Sequence, residues 1–317
     1  MRVLVVGASG FAGRHVGRAL AARGHEVVRA GRTPHGAEPT GAGEELRCDV
    51  TVTDSVAEAL AAARADAVLL LAGMASPPAA VADPASAFAV HVLGAVNLLT
   101  EVARAGRAER VVWVGSSEMY GALLPEDNPV REDLRFRPAT VYAASKAAAD
   151  LAVRAVAASR GLDVVRVRPF NHTGPGQRAD FVCPDFASQV VEIAAGRRPA
   201  VIEVGNVEVQ RDFSDVRDIV RGYVAALERG KAGQAYNLCS GRARSIREIL
   251  GELCARVGIA PEIRVAPARW RPAEVPAYWG SGEKARVGLA WQPEIPWATT
   301  LDDLIAWVRA GRPADAV

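Results

Sequence analysis

The chain of 317 residues has four cysteines, Cys48, Cys183, Cys239 and Cys254, too far apart to form a C-x-x-C motif, and its five histidines make no cluster at metal-ligand spacing. Neither a disulfide framework nor a zinc site is expected, and the pattern fits a reducing compartment, so a cytoplasmic location is expected. A charge excess is also missing, since 38 Lys and Arg against 36 Asp and Glu leave +2. Arginine is abundant, but no basic block is interleaved with aromatics, so nucleic acid is not an expected partner. The most apolar stretch, around Ala57 to Ala72, is broken by Glu58, Arg64 and Asp66, which predicts no membrane-spanning segment. With the apolar run Val3-Leu4-Val5-Val6 so early, no signal peptide is expected. There is no repeat and no low-complexity tract beyond an alanine- and arginine-rich bias.

Half of the residues are hydrophobic, which at this length predicts a large core and two lobes. Short Val/Leu-rich runs, Val3 to Val6, Glu26 to Arg29, Ala67 to Leu71, Arg110 to Val114 and Asp163 to Arg168, alternate with segments of helical length. Those segments are Gly13 to Arg23, Ser55 to Arg64, Ser86 to Ala105 and Thr140 to Arg160. Continuous apolar strands alternating with helices predict an α/β doubly wound parallel sheet covered on both faces. After Arg168 the texture turns to Pro/Gly-rich loops, Pro169 to Gly176 and Trp270 to Pro276, which are expected to be neither helix nor central strand. The expected division is a cofactor-binding domain over 1–170, completed by parts of 212–241, and a mainly substrate-binding lobe over 171–317.

Gly7-Ala8-Ser9-Gly10-Phe11-Ala12-Gly13 follows the first strand and opens a helix. Glycines there let the backbone approach a pyrophosphate, which sits over the unpaired N–H groups and positive dipole end of the helix. Where an NAD enzyme carries an acidic residue after the second strand, this chain reads Arg29-Ala30-Gly31-Arg32. A guanidinium at Arg32 favours a 2′-phosphate, hence NADP(H) over NAD(H), with NAD(H) still possible. Asp49 and Val50 fall where the third strand should end, in reach of an adenine, and Leu71-Ala72-Gly73 ends the fourth strand beside the cofactor.

Ser116-Ser117-Glu118 lies ahead of Tyr142-Ala143-Ala144-Ser145-Lys146. A tyrosine and a lysine four residues apart share one helix face, so the ammonium is expected to hold down the pKa of the phenol. Ser116 or Ser117 would hydrogen-bond a substrate carbonyl while Tyr142 supplies the proton, and Glu118 is available as a further base.

On these motifs the chain resembles the extended short-chain dehydrogenase/reductases acting on nucleotide sugars. The resemblance implies a Rossmann-like fold with a smaller C-terminal lobe, and a catalytic Ser116, Tyr142 and Lys146. It also implies cofactor contacts from Tyr142, Lys146 and Pro169, and a homodimer packed through the helices before and within the Tyr142 segment. The blocks Phe170 to Gln177, Phe181 to Phe186, Gly205-Asn206, Gln210 to Phe213, Tyr236 to Gly241 and Arg271 to Pro276 are similar to the reductases of GDP-4-dehydro-6-deoxy-D-mannose. They imply a nucleotide-diphosphate sugar as substrate. Asn171 would contact sugar or phosphates, Arg211 and Arg271 would clamp the diphosphate, and Ser117, Gln177 and Glu274 would help place the rest. Cys183, Asp185 and Tyr278-Trp279-Gly280-Ser281 depart from the reductase pattern and bear on the pocket. The same residues leave room for a 4,6-dehydratase with Glu118 as base, for a 4-epimerase, and for a non-catalytic NADP sensor.

Overall fold

The computed structural model describes residues 1–32, 45–266 and 275–312. Its first part runs β1 (Arg2–Val6), α1 (Phe11–Ala22), β2 (Glu26–Gly31), β3 (Glu45–Arg47), α2 (Thr53–Ala63) and β4 (Ala67–Leu70). Then come α3 (Pro77–Ala82), α4 (Pro84–Phe88), a π-helical turn (Ala89–Leu93), α5 (Gly94–Ala105), β5 (Arg110–Val114), α6 (Val141–Arg160) and β6 (Val164–Pro169). The later chain gives β7 (Asn171–Thr173), α7 (Val182–Ala194), β8 (Val201–Val204), β9 (Gln210–Asp215), α8 (Val216–Arg229) and β10 (Ala235–Leu238). It closes with β11 (Ala243–Ser245), α9 (Ile246–Val257), β12 (Glu262–Val265), β13 (Ala277–Tyr278), α10 (Glu283–Leu289) and α11 (Trp297–Arg309).

Seven strands form one sheet in the order β10-β6-β5-β4-β1-β2-β3, and every neighbouring pair is parallel. Alternation along β1 divides its side chains. Leu4 and Val6 face a core with α2, α5 and α6, where Val56, Leu98, Leu99 and Val153 are buried. Val3 and Val5 face α1, α8 and α10, where Leu20, Ile219, Tyr223 and Leu289 are buried. A sheet buried on both faces explains why the strands read as unbroken apolar runs. Strand order reverses between β1 and β4, and ligands of such sheets bind outside the carboxyl ends at that point.

A third core lies between α7, α9 and α11, built on Phe186, Val190, Ile249, Leu253, Leu301 and Leu304. Two small sheets flank it, one pairing β12 with β8, the other built around β9 with β7, β11 and β13. The later chain returns to the main sheet through α8 and β10, and α10 and Trp291 also join the second face of that sheet.

Three expectations change. The segment Ser86 to Ala105 is not a uniform helix, because it passes through the π-helical turn at Ala89–Leu93. Part of the presumed loop after Arg168 is strand: Asn171–Thr173, which contains no proline, pairs in parallel with β9. The run Pro84–Ala105 is long and apolar enough by length and composition to cross a membrane, the one such helix among the described residues. It was not the stretch singled out in the sequence, and its buried Leu98, Leu99 and Val102 pack into the first core.

Helix α6 is seated on β6 by a buried ion cluster. Asp150, 1% exposed, accepts from the Arg168 Nε and Nη2 at 3.1 Å each, and from Arg166 Nη1. Removing one partner of such a cluster strands buried charge. Asp150→Ala is therefore expected to lower unfolding free energy by about 3–5 kcal/mol in a denaturant titration, provided unfolding stays two-state.

Candidate active site

The turn after β1 is shaped by two glycines. Gly7 has φ +93°, and a Cβ there would lie 2.6 Å from the Ala72 backbone nitrogen. At Gly13 a Cβ would lie 2.4 Å from the Gly7 carbonyl oxygen, so glycine permits α1 to pack against the strand turn. Gly10 differs: it is exposed, and its added Cβ would meet only the Gly7 oxygen, at 3.3 Å. Gly10 is also the N-cap of α1, which has no side-chain cap and no acidic residue in its first turn. Backbone N–H groups at Phe11, Ala12 and Gly13 therefore present a positive end with no competing carboxylate, and this fits a pyrophosphate.

The other residues singled out for the cofactor surround this turn. Arg32 is exposed at the end of β2, near enough to Asp49 to help hold its carboxyl below the ordinary value, after the hydrogen bonds from Thr51 that dominate. Val50 is buried, and its carbonyl accepts from Asn97 at 3.0 Å. The Leu71 and Ala72 amides bond the Val6 carbonyl, at 2.8 and 2.9 Å, which brings the end of β4 against Gly7. A Cβ on Gly73 would lie 3.2 Å from the His91 ring and 3.4 Å from Lys146 Nζ. Pro169 is the buried last residue of β6.

Ser116 follows β5 with φ −161°, and its hydroxyl accepts from the Glu118 amide at 3.2 Å as the cap of a 3₁₀ turn, Ser117–Tyr120. Tyr142 and Lys146 stand on one face of α6, whose N-terminus is capped by Thr140. The arrangement brings Ser116, Glu118, Tyr142 and Lys146 to the carboxyl end of β5. Burial pushes the Tyr142 phenol well above its ordinary value, the Glu118 carboxylate pushes the same way, and a hydrogen bond with Ser116 partly offsets both. This corrects the expectation that Lys146 lowers the phenol. The Lys146 ammonium instead donates to the Val114 carbonyl at 3.1 Å and lies 5.6 Å from the Trp113 ring centroid. Burial lowers it to about 8.

On the far side of the cleft, the loop Phe170 to Gln177 is anchored to α1. Arg14 Nη2 donates to Gly176 O and His15 Nε2 bonds Pro175 O, both at 2.9 Å, while His172 stacks on Phe11. Gln177 is buried and donates to the His172 carbonyl at 3.0 Å; Asn171 is half-buried. Arg211 donates to the carbonyls of Gln210 and Val275, each at 2.8 Å. Arg271 and Glu274 lie outside the described residues. Ser117 is buried, and its carbonyl accepts from the Tyr278 hydroxyl.

Several residues that shape the site were not singled out in the sequence. Asp212 accepts from the Ser240 amide and hydroxyl and from the Gly241 and Gly280 amides. Tyr120 donates to Asn237 Oδ1 and accepts from Arg168, at 2.8 Å each. His91 bonds Ser145 at 2.8 Å. Their partners are distant in the chain, so spacing carries no signal for them, although the blocks Gln210 to Phe213 and Tyr236 to Gly241 marked the segments that Asp212 joins.

Comparison with known proteins agrees with this geometry. The NAD dependent epimerase/dehydratase family model matches residues 3–239. The chain is 35% identical over 294 residues to GDP-6-deoxy-D-mannose reductase of Pseudomonas aeruginosa, covering 93% of this chain and 92% of that one. It is 30% identical to UDP-glucose 4-epimerase of Mycolicibacterium smegmatis, over 98% and 99% of the two chains. The solved structure of RMD from Pseudomonas aeruginosa complexed with NADPH matches with a TM-score of 0.85 and 32% identity, over 96% of this chain and 98% of that one. The strand–glycine turn–helix, the Tyr142–Lys146 helix face and a family match that spans the whole seven-stranded sheet make this chain a member of the NAD dependent epimerase/dehydratase family.

Proposed function

We propose that the protein reduces the C4 ketone of a nucleotide-diphosphate-linked 4-keto-6-deoxyhexose with NADPH, acting on a substrate of the GDP-4-keto-6-deoxy-D-mannose type to give a GDP-D-rhamnose type product. The observation that carries this reading is the likeness to the GDP-6-deoxy-D-mannose reductase of Pseudomonas aeruginosa, which extends over 93% of this chain. The site is compatible with it, since the Tyr142 phenol, hydrogen-bonded to Ser116, can donate a proton to a carbonyl oxygen.

Bound NADPH would supply the hydride that forms the new C–H bond at C4. Tyr142 gives its proton to the carbonyl oxygen, which stays on C4 as the new hydroxyl, and solvent restores the phenol. Ser116, already hydrogen-bonded to Tyr142, orients that oxygen. Lys146 holds the nicotinamide ribose, Gly10 to Gly13 hold the pyrophosphate, and Arg32 faces the 2′-phosphate, which favours NADP(H) while leaving NAD(H) usable. Arg211 with Arg271 clamps the substrate diphosphate, and Asn171, Ser117, Gln177 and Glu274 place sugar and nucleotide. A second copy of the chain is the expected partner, packed through α5 and α6. The 4,6-dehydratase remains the second reading because Glu118 is close enough to Tyr142 to act on its pKa, and so is placed beside any reacting C4.

Loss of NADPH absorbance on mixing with GDP-4-keto-6-deoxymannose, with product identification, tests the proposal. Stoichiometric consumption is expected, falling about 10²–10⁴-fold in Tyr142→Phe and little in Glu118→Gln. Formation of a 4-keto sugar from GDP-mannose without added reductant, abolished by Glu118→Gln, would establish the dehydratase instead.

The two kinds of glycine should separate in binding experiments. Gly13→Ala is expected to lower the melting temperature, because its Cβ collides with backbone. Gly10→Ala should leave melting unchanged and weaken NADPH binding in a fluorescence titration.

Lys146 is charged below about pH 8 and neutral above it. NADPH affinity should accordingly fall as pH rises through 8, by about tenfold for the loss of one charge-assisted hydrogen bond. Lys146→Met, uncharged throughout, should bind weakly and lose that pH dependence.

A further inference from the structure

His91 is 2% exposed and has no part in the chemistry assigned above. It sits at the centre of the π-helical turn Ala89–Leu93, a distortion that accommodates one extra residue per turn and recurs at functional sites. From there its ring reaches three parts of the site. Nδ1 is 2.8 Å from the Ser145 hydroxyl, Nε2 is 3.0 Å from the Met74 amide, and the ring stands edge-on to Tyr142 with centroids 5.6 Å apart.

The ring bridges the two segments in either neutral tautomer. With the proton on Nδ1 it donates to the Ser145 hydroxyl, which donates on to the Tyr142 carbonyl at 2.9 Å, and Nε2 accepts from the Met74 N–H. With the proton on Nε2 it donates to the Met74 carbonyl at 3.2 Å, and Nδ1 accepts from the Ser145 hydroxyl. An imidazolium would face the Lys146 ammonium. Burial, and then Lys146, hold the ring down at about 3, so it is neutral wherever the enzyme works.

We propose that His91 is a positioning residue: as a neutral imidazole it ties the first turn of α6, through Ser145 to the Tyr142 backbone, to the Gly73–Met74 corner after β4, and so sets the separation between proton donor and cofactor. The corner is close-packed against it, since Gly73 has no room for a Cβ without pressing on the His91 ring. The tie acts on Tyr142 through the helix backbone, leaving the phenol itself free to exchange its proton.

This inference rests on the Tyr142 role proposed above, so its test has one arm that needs no turnover. In ¹⁵N-histidine-labelled protein, the ring resonances that disappear in His91→Asn should be those of a neutral imidazole, unchanged between neutral and mildly acidic pH, and should shift in Ser145→Ala. Titration near the ordinary histidine value, or ring resonances unmoved by Ser145→Ala, would overturn the proposal whatever the reaction is. In the kinetic arm, His91→Phe keeps the ring shape and removes both hydrogen bonds. Its kcat should fall about 10- to 100-fold with KM for both substrates nearly unchanged, as misplacement of a reacting group does. His91→Asn, which keeps a donor for Ser145, should recover most of that loss. Unchanged kcat in His91→Phe, or no recovery in His91→Asn, would refute the tie. Should His91→Phe fail to fold, Ser145→Ala carries the same test by deleting the bridging hydroxyl. Absence of NADPH consumption by the wild-type protein would sink the reductase reading alone, with the ring resonances still deciding the case for His91.

Discussion

The site depends on one buried charge. Asp150 stands four residues beyond Lys146 and eight beyond Tyr142, on the same face of α6, and it is held between Arg166 and Arg168 of β6. A carboxylate in that position fixes both the depth and the rotation of the helix against the strand, since a turn in either direction would strand it without its guanidinium partners. Arg168 extends the constraint by donating to Tyr120 and to the Glu132 carbonyl, and Tyr120 passes it to Asn237 on β10. The 3₁₀ turn that carries Ser116 to Glu118 and the helix that carries Tyr142 are therefore referenced to the same strand. Their mutual geometry does not rely on contact between the reacting groups themselves.

Within that frame the electrostatics follow from burial. Lys146 and Tyr142 are both withdrawn from water, which drives each toward its neutral form: the ammonium downward, the phenol upward. Neighbours then modulate this, Glu118 reinforcing the neutral phenol and Ser116 opposing it. The sequence pattern shows that a tyrosine and a lysine share a face. It does not show how deep that face lies or which backbone carbonyl claims the ammonium, and so the sign of the phenol's shift was misjudged from spacing alone.

The same distinction governs what could be read from residues. The parallel sheet was legible because apolar strands, glycine turns and helix lengths are local, and the Gly7 to Gly13 turn because each glycine has a local steric reason. His91 looked like one more residue in an apolar helix from Ser86 to Ala105, since nothing in its neighbours announces a π-helical turn. Asp212 and Tyr278 fall in segments marked by the resemblance, but their hydrogen bonds, which cross from one lobe segment to another, had no signal in the sequence. The sequence predicts that Arg211 reaches for a diphosphate, and its guanidinium is also an anchor for the Val275 carbonyl, which joins β9 to the segment before β13. Long-range polar contacts of this kind are what a one-dimensional pattern omits.

The loop from Phe170 to Gln177 is bonded to α1 through Arg14, His15 and the Phe11 ring as well as to its own strands. Two of those three side chains lie in the turn of helix that directly follows Gly13, and the third lies within the glycine motif itself. A loop of this construction is not a portable cassette. Grafting a relative's substrate loop onto this scaffold would bring in carbonyls and rings shaped for another helix, so any exchange of specificity has to transplant the matching face of α1 along with it.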